Sequence, residues 1–271
     1  MSATTAVGQG WAQSVVSDFD PDDVMQTALV QVAATKAGEI EGDTPTVIVP
    51  YVRTDPPAAV VAEDNTISTT DGEYDQIEIS TSKVAVVTRI SNEVANHPNA
   101  AARIARAVSR SVTTKADTNF TAALLAVDDV ATAGDLGGTT DPNLFAAYDA
   151  VGAIEADGGQ ATHLLINPVD WATLCKLPTA TGSNMSLLAD VHDAAARALA
   201  GVPVIVHSAM PQGTALMLDR SEVVAAVGPL KLARSDDAFF TADAVAIRAT
   251  FRSGVAVVRP TRLQKLTIAA D

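Results

Sequence analysis

YDQIEISTSKVAVVTRISNE, residues 74–93, is the stretch on which the architecture of this chain turns. It is rich in Val, Ile, Thr and Tyr, residues that favour a pleated, half-buried strand. Ile77 and Ile79 fall on odd positions, whereas Val84, Val86, Thr88 and Ile90 fall on even ones. Strand side chains alternate with a period of two, so the buried face must change sides near Ser80–Lys83, and a bulge or bend is expected there. Upstream, Thr46–Val52 has the same composition, and the turn formers Asp55-Pro56-Pro57, Asp64-Asn65 and Asp71-Gly72 lie between the two runs. Residues 45–88 therefore read as one long hairpin with a polar, turn-rich outer part. At roughly 3.3 Å per residue each arm could extend about 70 Å, whereas a compact chain of this length has a radius of gyration of about 19 Å. An isolated two-stranded ribbon is marginal in water, so the hairpin is expected to project from the body and find its partner on another molecule, the alternative being a hairpin folded back on its own sheet.

Downstream, Pro98–Val127 predicts one helix of about 45 Å at 1.5 Å per residue. At 100° per residue Ile104, Val108 and Val112 share one side, and Arg103, Arg106 and Arg110 group on the opposite side. A shorter helix is predicted from Asp20-Pro21-Asp22-Asp23, with Asp20 as N-cap, Met25, Leu29 and Val32 on one side, Lys36 in the last turn and Gly38 as the stop. Asp128–Thr140, with Gly134 and Gly137-Gly138, reads as a loop, and Asp141-Pro142 opens a second capped helix through Leu144, Tyr148 and Val151 to Gly158-Gly159. An α/β region follows. His163–Ile166 is a buried strand, Asn167-Pro168 caps a helix through Trp171 and Leu174, and Pro178–Asn184 is a loop. Gly201–His207 and Thr214–Leu218 read as strands, Asp243–Val258 as a long strand ending at Pro260, and a last strand runs to Ile268. The fold class is α+β.

The chain has 271 residues and a formal net charge of −14, which disfavours unaided nucleic-acid binding because phosphate contacts need Lys and Arg. Hydrophobic residues at 48% exclude wholesale disorder. Aromatic residues are only 4%, the apolar mass being Ala and Val, which suits long sheets better than an aromatic-lined ligand pocket. The single cysteine, Cys175, excludes an intrachain disulfide and a Cys-based zinc cage, and a reducing compartment is expected. No basic-then-apolar leader and no membrane-length apolar run is visible, so a soluble, unsecreted protein is expected.

The charge is unevenly placed. Between Asp18 and Ser80 fourteen acids face only Lys36 and Arg53, a net of −12, whereas the chain from Thr81 onward carries −2. Against this stand two basic concentrations: Lys83, Arg89, Arg103, Arg106, Arg110 and Lys115, and then Arg248, Arg252, Arg259, Arg262 and Lys265. Each can be a solvated face. The alternative is that acidic and basic surfaces of separate molecules meet, with Glu63, Asp64, Asp71, Glu73 and Asp75 on the hairpin and Arg103, Arg106, Arg110, Arg248 and Arg252 as the receiving cations.

Catalytic signatures are missing. There is no G-x-S-x-G, no G-x-x-x-x-G-K-[ST] and no G-x-G-x-x-G. His97, His163, His192 and His207 lie far apart with no metal spacing and read as structural or surface residues. Asp128-Asp129 and Asp236-Asp237 are adjacent pairs that suit turns or caps, and Cys175 sits in an apolar helix without a local His partner. No catalytic, cofactor-binding or metal-binding residue is assigned.

The order of elements, with Ile90-Ser91-Asn92-Glu93 leading into the long helix, resembles the major capsid protein of tailed double-stranded DNA phages of the Hong Kong 97 (HK97-like) type. The local matches are Ile166-Asn167-Pro168 with Trp171, Gly201-Val202-Pro203-Val204 followed by Met210-Pro211 and Asp219, Ala246-Ile247-Arg248 with Phe251-Arg252, and Val258-Arg259-Pro260. The resemblance implies an N-arm over 1–44, an extended E-loop hairpin over 45–88, a P-domain with a long spine helix over 89–143 and 240–271, and an α/β A-domain over 144–239. It further implies a non-catalytic shell protein that forms pentamers and hexamers and encloses a phage double-stranded DNA genome as an icosahedral virion capsid. Separate scaffolding, portal and possible decoration proteins, no cofactor, no membrane, and assembly in the host bacterial cytoplasm go with that reading. Two family features are not expected. The hairpin tip Asp55–Ile77 has no Lys and the segment Arg248–Asp271 has no Asn, so an isopeptide weld is not predicted, and only about 44 residues precede the hairpin, so scaffolding is expected to be separate or dispensable. The alternatives are an encapsulin-like nanocompartment, which shares the fold, and an unrecognised hydrolase with a cleft near Asp219 or His207.

Overall fold

The structure, a computed structural model, describes residues 28–40, 45–61, 63, 66, 69, 71–95, 97, 100–137, 143–178, 186, 188 and 197–268. Its chain order is α1 (Leu29–Val32), β1 (Thr35–Glu39), β2 (Thr46–Thr54), β3 (Glu73–Ser80), β4 (Ser82–Ser91), α2 (Asn92–Ala95), α3 (Ala100–Leu125) and β5 (Ala131–Leu136). Then come α4 (Phe145–Ala156), β6 (His163–Ile166), α5 (Pro168–Cys175), β7 (Ala198–Leu199), β8 (Val202–Val206), β9 (Thr214–Leu218), β10 (Val223–Val227), β11 (Lys231–Phe239), β12 (Ala244–Val257) and β13 (Leu263–Ile268). The described chain is thus a mixed α+β fold.

β12 organises the first sheet. It pairs antiparallel with β4 along one edge and, along the other, with β11 and then β10, to which β1 adds in parallel. The face change expected near Ser80–Lys83 is found at Thr81, where the chain leaves its β2 partner and joins β12, with Ile79 buried before the break and Val84 and Ile90 after it. The second arm is therefore split. β2 and β3 alone form the two-stranded ribbon, and Ser82–Ser91 belongs to the body. The ribbon also does not stand wholly free, as the sequence expectation had it. Its base lies on the first sheet, with Ile79 and the half-buried Val47, Val49 and Ile77 packed on Ile40, Val224, Ala226, Ala256 and Val258. Residues 53–61 beyond that contact are exposed.

The other face of the β4–β12 pair receives α3. Val108, Val112, Ala116, Phe120 and Leu124 recur at four-residue spacing and pack with Val84, Ala249 and Phe251 in one core. The second sheet, in the order β5-β13-β9-β6-β8-β7, is buried on both faces. Leu165, Leu216 and Leu218 join the α3 core, whereas Leu164, Ile166 and Met217 join a separate core with Ala147, Ala150, Ile154 and Leu174 from α4 and α5. Burial on both faces explains why these strands read as uninterrupted apolar runs instead of alternating ones.

Three expectations are corrected. Lys36 and Gly38 do not end a helix; they lie in β1, which is extended because it pairs with β10, and the predicted helix start at Asp20 and Met25 falls outside the described residues. Residues 128–140 are not all loop, since β5 pairs in parallel with β13 from the far end of the chain and Gly134, at φ +143°, absorbs a register shift. Helix α4 begins at Phe145, whose N–H donates to Asn143 Oδ1 at 2.7 Å; Asp141-Pro142 lies outside the described residues, as do residues 179–184 of the predicted loop. The cap at Asn167 is as expected, its Oδ1 accepting from Val169 N–H at 2.9 Å.

Candidate intersubunit surfaces

The acidic candidates lie on the outer ribbon. Glu63, Asp71, Glu73 and Asp75 are all exposed, and Asp64 is outside the described residues. Two of them are held by cross-strand partners: Glu73 Oε2 accepts from the Thr54 hydroxyl at 3.1 Å, and Asp75 Oδ2 accepts from the Tyr51 hydroxyl at 3.5 Å. Glu73 and Asp75 are therefore presented on a strand surface, whereas Glu63 and Asp71 lie in the connection between β2 and β3.

On α3, Arg103, Arg106 and Arg110 are exposed, opposite the buried Val108 and Val112. Their spacing of three and four places them on one helical face. The C-terminal basic group, by contrast, is divided. Arg248 and Arg252 share one face of β12 with Thr250, and register brings Lys231 of β11 opposite Thr250 and Lys83 of β4 opposite Arg252. These four cations line an open groove of about 310 Å³, with Ile40, Gly228, Pro229, Thr250 and Phe251 completing it. No acid lines it. Lys231 and Arg248 are exposed, whereas Arg252 donates to the Thr81 hydroxyl at 2.7 Å. Arg89 lies over the Phe239 ring at 5.8 Å.

Arg259 and Arg262, counted with Arg248 and Arg252 in the C-terminal basic group, do not belong to this surface. Both turn inward to the buried Glu222, whose Oε1 accepts from Arg259 Nη1 at 2.8 Å and from Arg262 Nη1 at 2.5 Å. Glu222 carries no signature in sequence, since its burial depends on the 3₁₀ turn Arg220–Glu222 placing it under two later arginines. Lys231 escaped the sequence reading for a related reason: no strand is expected there, and only register makes it a neighbour of Arg248.

The groups considered for chemistry take structural places. Asp219 is buried and its carboxylate accepts from Gln160 N–H, Ser221 N–H and the Ser221 hydroxyl at 2.7–2.9 Å. Burial alone would raise its pKa, but these donors and the Arg262 charge together hold it below the ordinary aspartate value. Asp117 on α3, also buried, accepts from Leu29 N–H at 2.9 Å and faces His207 Nε2 at 3.4 Å; burial pushes its pKa up, against the Leu29 bond and the His207 charge. The sequence reading passed over Asp117, whose signal is its place as the one acid in a four-spaced polar series, Ser109, Thr113, Asp117 and Thr121, all buried. His207 Nδ1 accepts from Ala209 N–H at 3.1 Å, which leaves Nε2 facing Asp117. His163 is half-buried, and burial with the nearby Arg220 lowers its pKa. Asp128 and Asp129 lie in the turn after α3, with Asp129 at φ +65°; Asp236 and Asp237 lie within β11 and not in the expected turn, Asp236 pairing with Arg234 at 2.8 Å; burial raises the pKa of the half-buried Cys175 thiol. His97 is exposed, and His192 lies outside the described residues. Among the described residues no three His, Cys, Asp or Glu side chains are grouped as a metal site would need, and no helix is long and apolar enough to cross a membrane.

Comparison with known proteins identifies the family and the fold. The sequence model of the phage capsid family matches residues 13–268. A solved structure from Mycobacterium phage Bobi is 18% identical and superposes with a TM-score of 0.68 over 90% of this chain and 91% of that one. One from Mycobacterium phage Adephagia is 15% identical, with a TM-score of 0.70 and the same coverage. The capsid of an empty GTA particle, computed with C5 symmetry, is 18% identical, with a TM-score of 0.68 over 90% of both chains. No curated protein sequence matches the chain.

Proposed function

We propose that this chain, which belongs to the phage capsid family, is a major capsid protein that assembles with copies of itself, as pentamers and hexamers, into the icosahedral shell around a phage double-stranded DNA genome. In this reading residues 1–44 are the arm, 45–88 the extended loop, 89–143 with 240–271 the peripheral domain, and 144–239 the axial domain around each symmetry axis. The role is structural, without cofactor or catalysis. Scaffolding, portal and decoration proteins are separate chains, and the shell forms in the host bacterial cytoplasm.

The observation that carries the reading of self-association is electrostatic. Exposed carboxylates on the outer ribbon and its connection, Glu63, Asp71, Glu73 and Asp75, lie on the same chain as two basic faces, one on α3 and one formed by the exposed Lys83, Lys231 and Arg248 with the half-buried Arg252. Complementary fields of this kind steer and align partners more than they add raw affinity. A second copy supplies the missing half of each surface.

Electron microscopy of the purified protein after size exclusion tests the proposal. Closed polyhedral shells, or rings of five and six, are expected, and shells isolated from infected cells should contain nucleic acid. A protein that stays a monomer or dimer both alone at high concentration and when supplied with a scaffolding chain overturns the assembly reading, and shells filled with a protein cargo overturn the genome reading.

A further inference from the structure

The ribbon is fastened to the body by one buried carboxylate that holds two arginines reaching in opposite directions. Glu222, 6% exposed in its side chain, accepts from Arg259 Nη1 at 2.8 Å and Arg262 Nη1 at 2.5 Å through the same Oε1. The free side of the Arg259 fork, Nη2, donates to the Val52 carbonyl of the ribbon at 2.8 Å, a contact 207 residues apart in sequence. Arg262 reaches the other way, its Nη2 donating to the Asp157 carbonyl at 2.9 Å and its Nε to Asp157 Oδ2 at 3.3 Å, at the C-terminal end of α4. The Thr261 hydroxyl donates to the same Asp157 oxygen at 2.8 Å. A guanidinium is planar and its donors leave in fixed directions, so a fork bound on both sides fixes an angle as well as a distance.

The position of this fastening matters. Nearer the body the ribbon is held by non-directional apolar contact, through Ile79, Val47, Val49 and Ile77. Contact of that kind resists lifting but permits rocking. Val52 lies near the outer end of β2, immediately before the exposed residues 53–61. A directional bond there fixes the inclination of what lies beyond it, the end of β2 and the exposed residues up to 61. A small change of angle at Val52 is therefore carried into that exposed outer part.

We infer that Arg259, anchored by Glu222, is a positioning residue that sets the inclination of the ribbon and, through it, the angle between neighbouring copies and hence the diameter of the shell. The inference rests on the self-assembly reading above. Because the same carboxylate binds Arg262 and through it α4, the inclination is referred to the second sheet as well as the first.

The test compares the full-length protein with Arg259→Ala, Arg259→Lys and, as a control for an exposed ion pair, Arg234→Ala. Two measurements are made on each: amide hydrogen exchange of the unassembled subunit, and shell diameters by electron microscopy. In Arg259→Ala, exchange over 46–54 and 73–80 is expected to rise at least tenfold while β13 is unchanged, and shells should be of mixed or altered diameter. Arg234→Ala should match the wild type in both. Arg259→Lys keeps the charge on Glu222 and loses the second arm of the fork, so it should reproduce the change in the ribbon; if the Ala variant fails to fold, the Lys variant decides. Unchanged exchange in the ribbon, or a single wild-type diameter from a folded Arg259 variant, overturns the inference. If the wild type itself forms no shells, alone or with a scaffolding chain, the assembly reading fails and with it the inferred control of diameter, whereas unchanged exchange in the ribbon of the variants strikes this inference alone.

Discussion

Gly254 of β12 lies directly against the carbonyl oxygen of Ser80, the last residue of the ribbon. A Cβ placed on Gly254 would meet that oxygen well inside contact distance and would stand 2.9 Å from Ile79 Cγ2. The chain can leave the ribbon and enter the first sheet at Thr81 because the strand beneath has no side chain at this point.

Gly254→Ala therefore forces backbone to move against backbone. Such overpacking costs about 1–3 kcal/mol. Urea denaturation of the unassembled subunit measures it, and a variant as stable as the wild type would show that the ribbon adjusts freely at Ser80.

Asp117 ties α3 to the N-terminal segment and to the loop after β8. Asp117→Ala strands the Leu29 N–H in a buried place and should cost about 1–3 kcal/mol; Asp117→Asn keeps an acceptor for it. Since the folded pKa is raised, with burial the largest cause, the contribution of this carboxyl is fully present below the ordinary aspartate value of 3.8 and is lost as pH rises through the folded value. The stability of Asp117→Asn relative to wild type should accordingly grow with pH from about 4 upward. Thermal melts across that range decide it; a difference independent of pH would refute it.

Asp219 has the opposite sign. Burial raises its pKa, but the donors from Gln160 and Ser221 and the Arg262 charge outweigh it. Its contribution is present above 3.8 and is lost as pH falls through the depressed folded value. Asp219→Asn places an amide donor against N–H or hydroxyl donors, so a loss of about 1–3 kcal/mol is expected at pH 7. The gap between variant and wild type should close in acid, as read by unfolding between about pH 2 and 5.

Reversal of Arg103, Arg106 and Arg110 to Glu, and separately of Lys231 and Arg248 to Glu, acts on exposed positions. Subunit stability should stay within about 0.5 kcal/mol in each variant, while assembly followed by light scattering is blocked. Reversing the ribbon with Asp71→Lys and Glu73→Lys should restore assembly only for the face that receives it. Normal shells from both reversed variants would remove the electrostatic account. Assembly of the wild type should also slow between 0.1 and 1 M salt, as the Debye length shortens from about 10 to 3 Å.

Free subunits should not hold double-stranded DNA at physiological salt, because a net charge of −14 opposes a polyanion. Retention of a DNA duplex on the subunit at about 150 mM salt would count against this.

Much of this arrangement was legible because its cause is local. The face change at Thr81 followed from the parity of Ile79 and Val84, the long helix from the spacing of Ile104, Val108 and Val112, and the α5 cap from Asn167-Pro168. The elements that were not legible are those whose partner is remote. β1 is extended by β10, and β5 by β13. Composition could not announce either, since Thr35–Glu39 and Ala131–Leu136 have little strand pattern of their own. The same held for the candidate surface. Exposure of the ribbon acids and of the α3 arginines follows from pattern, whereas the groove needs register across three strands.

By itself the sequence determined the α+β class, the order of the main elements, the split between an acidic first portion and a nearly neutral remainder, and a resemblance that the family match bears out. These depend on period, caps and charge, all of which act within a few residues. Only the tertiary structure decided where the ribbon stops being free, which cations face outward together, and which are turned inward on Glu222. Arg248 and Arg259 are indistinguishable as residue types; what separates them is that one stands on an exposed sheet face and the other over a buried carboxylate, and burial of a charge is tolerated only where its partner is already in place.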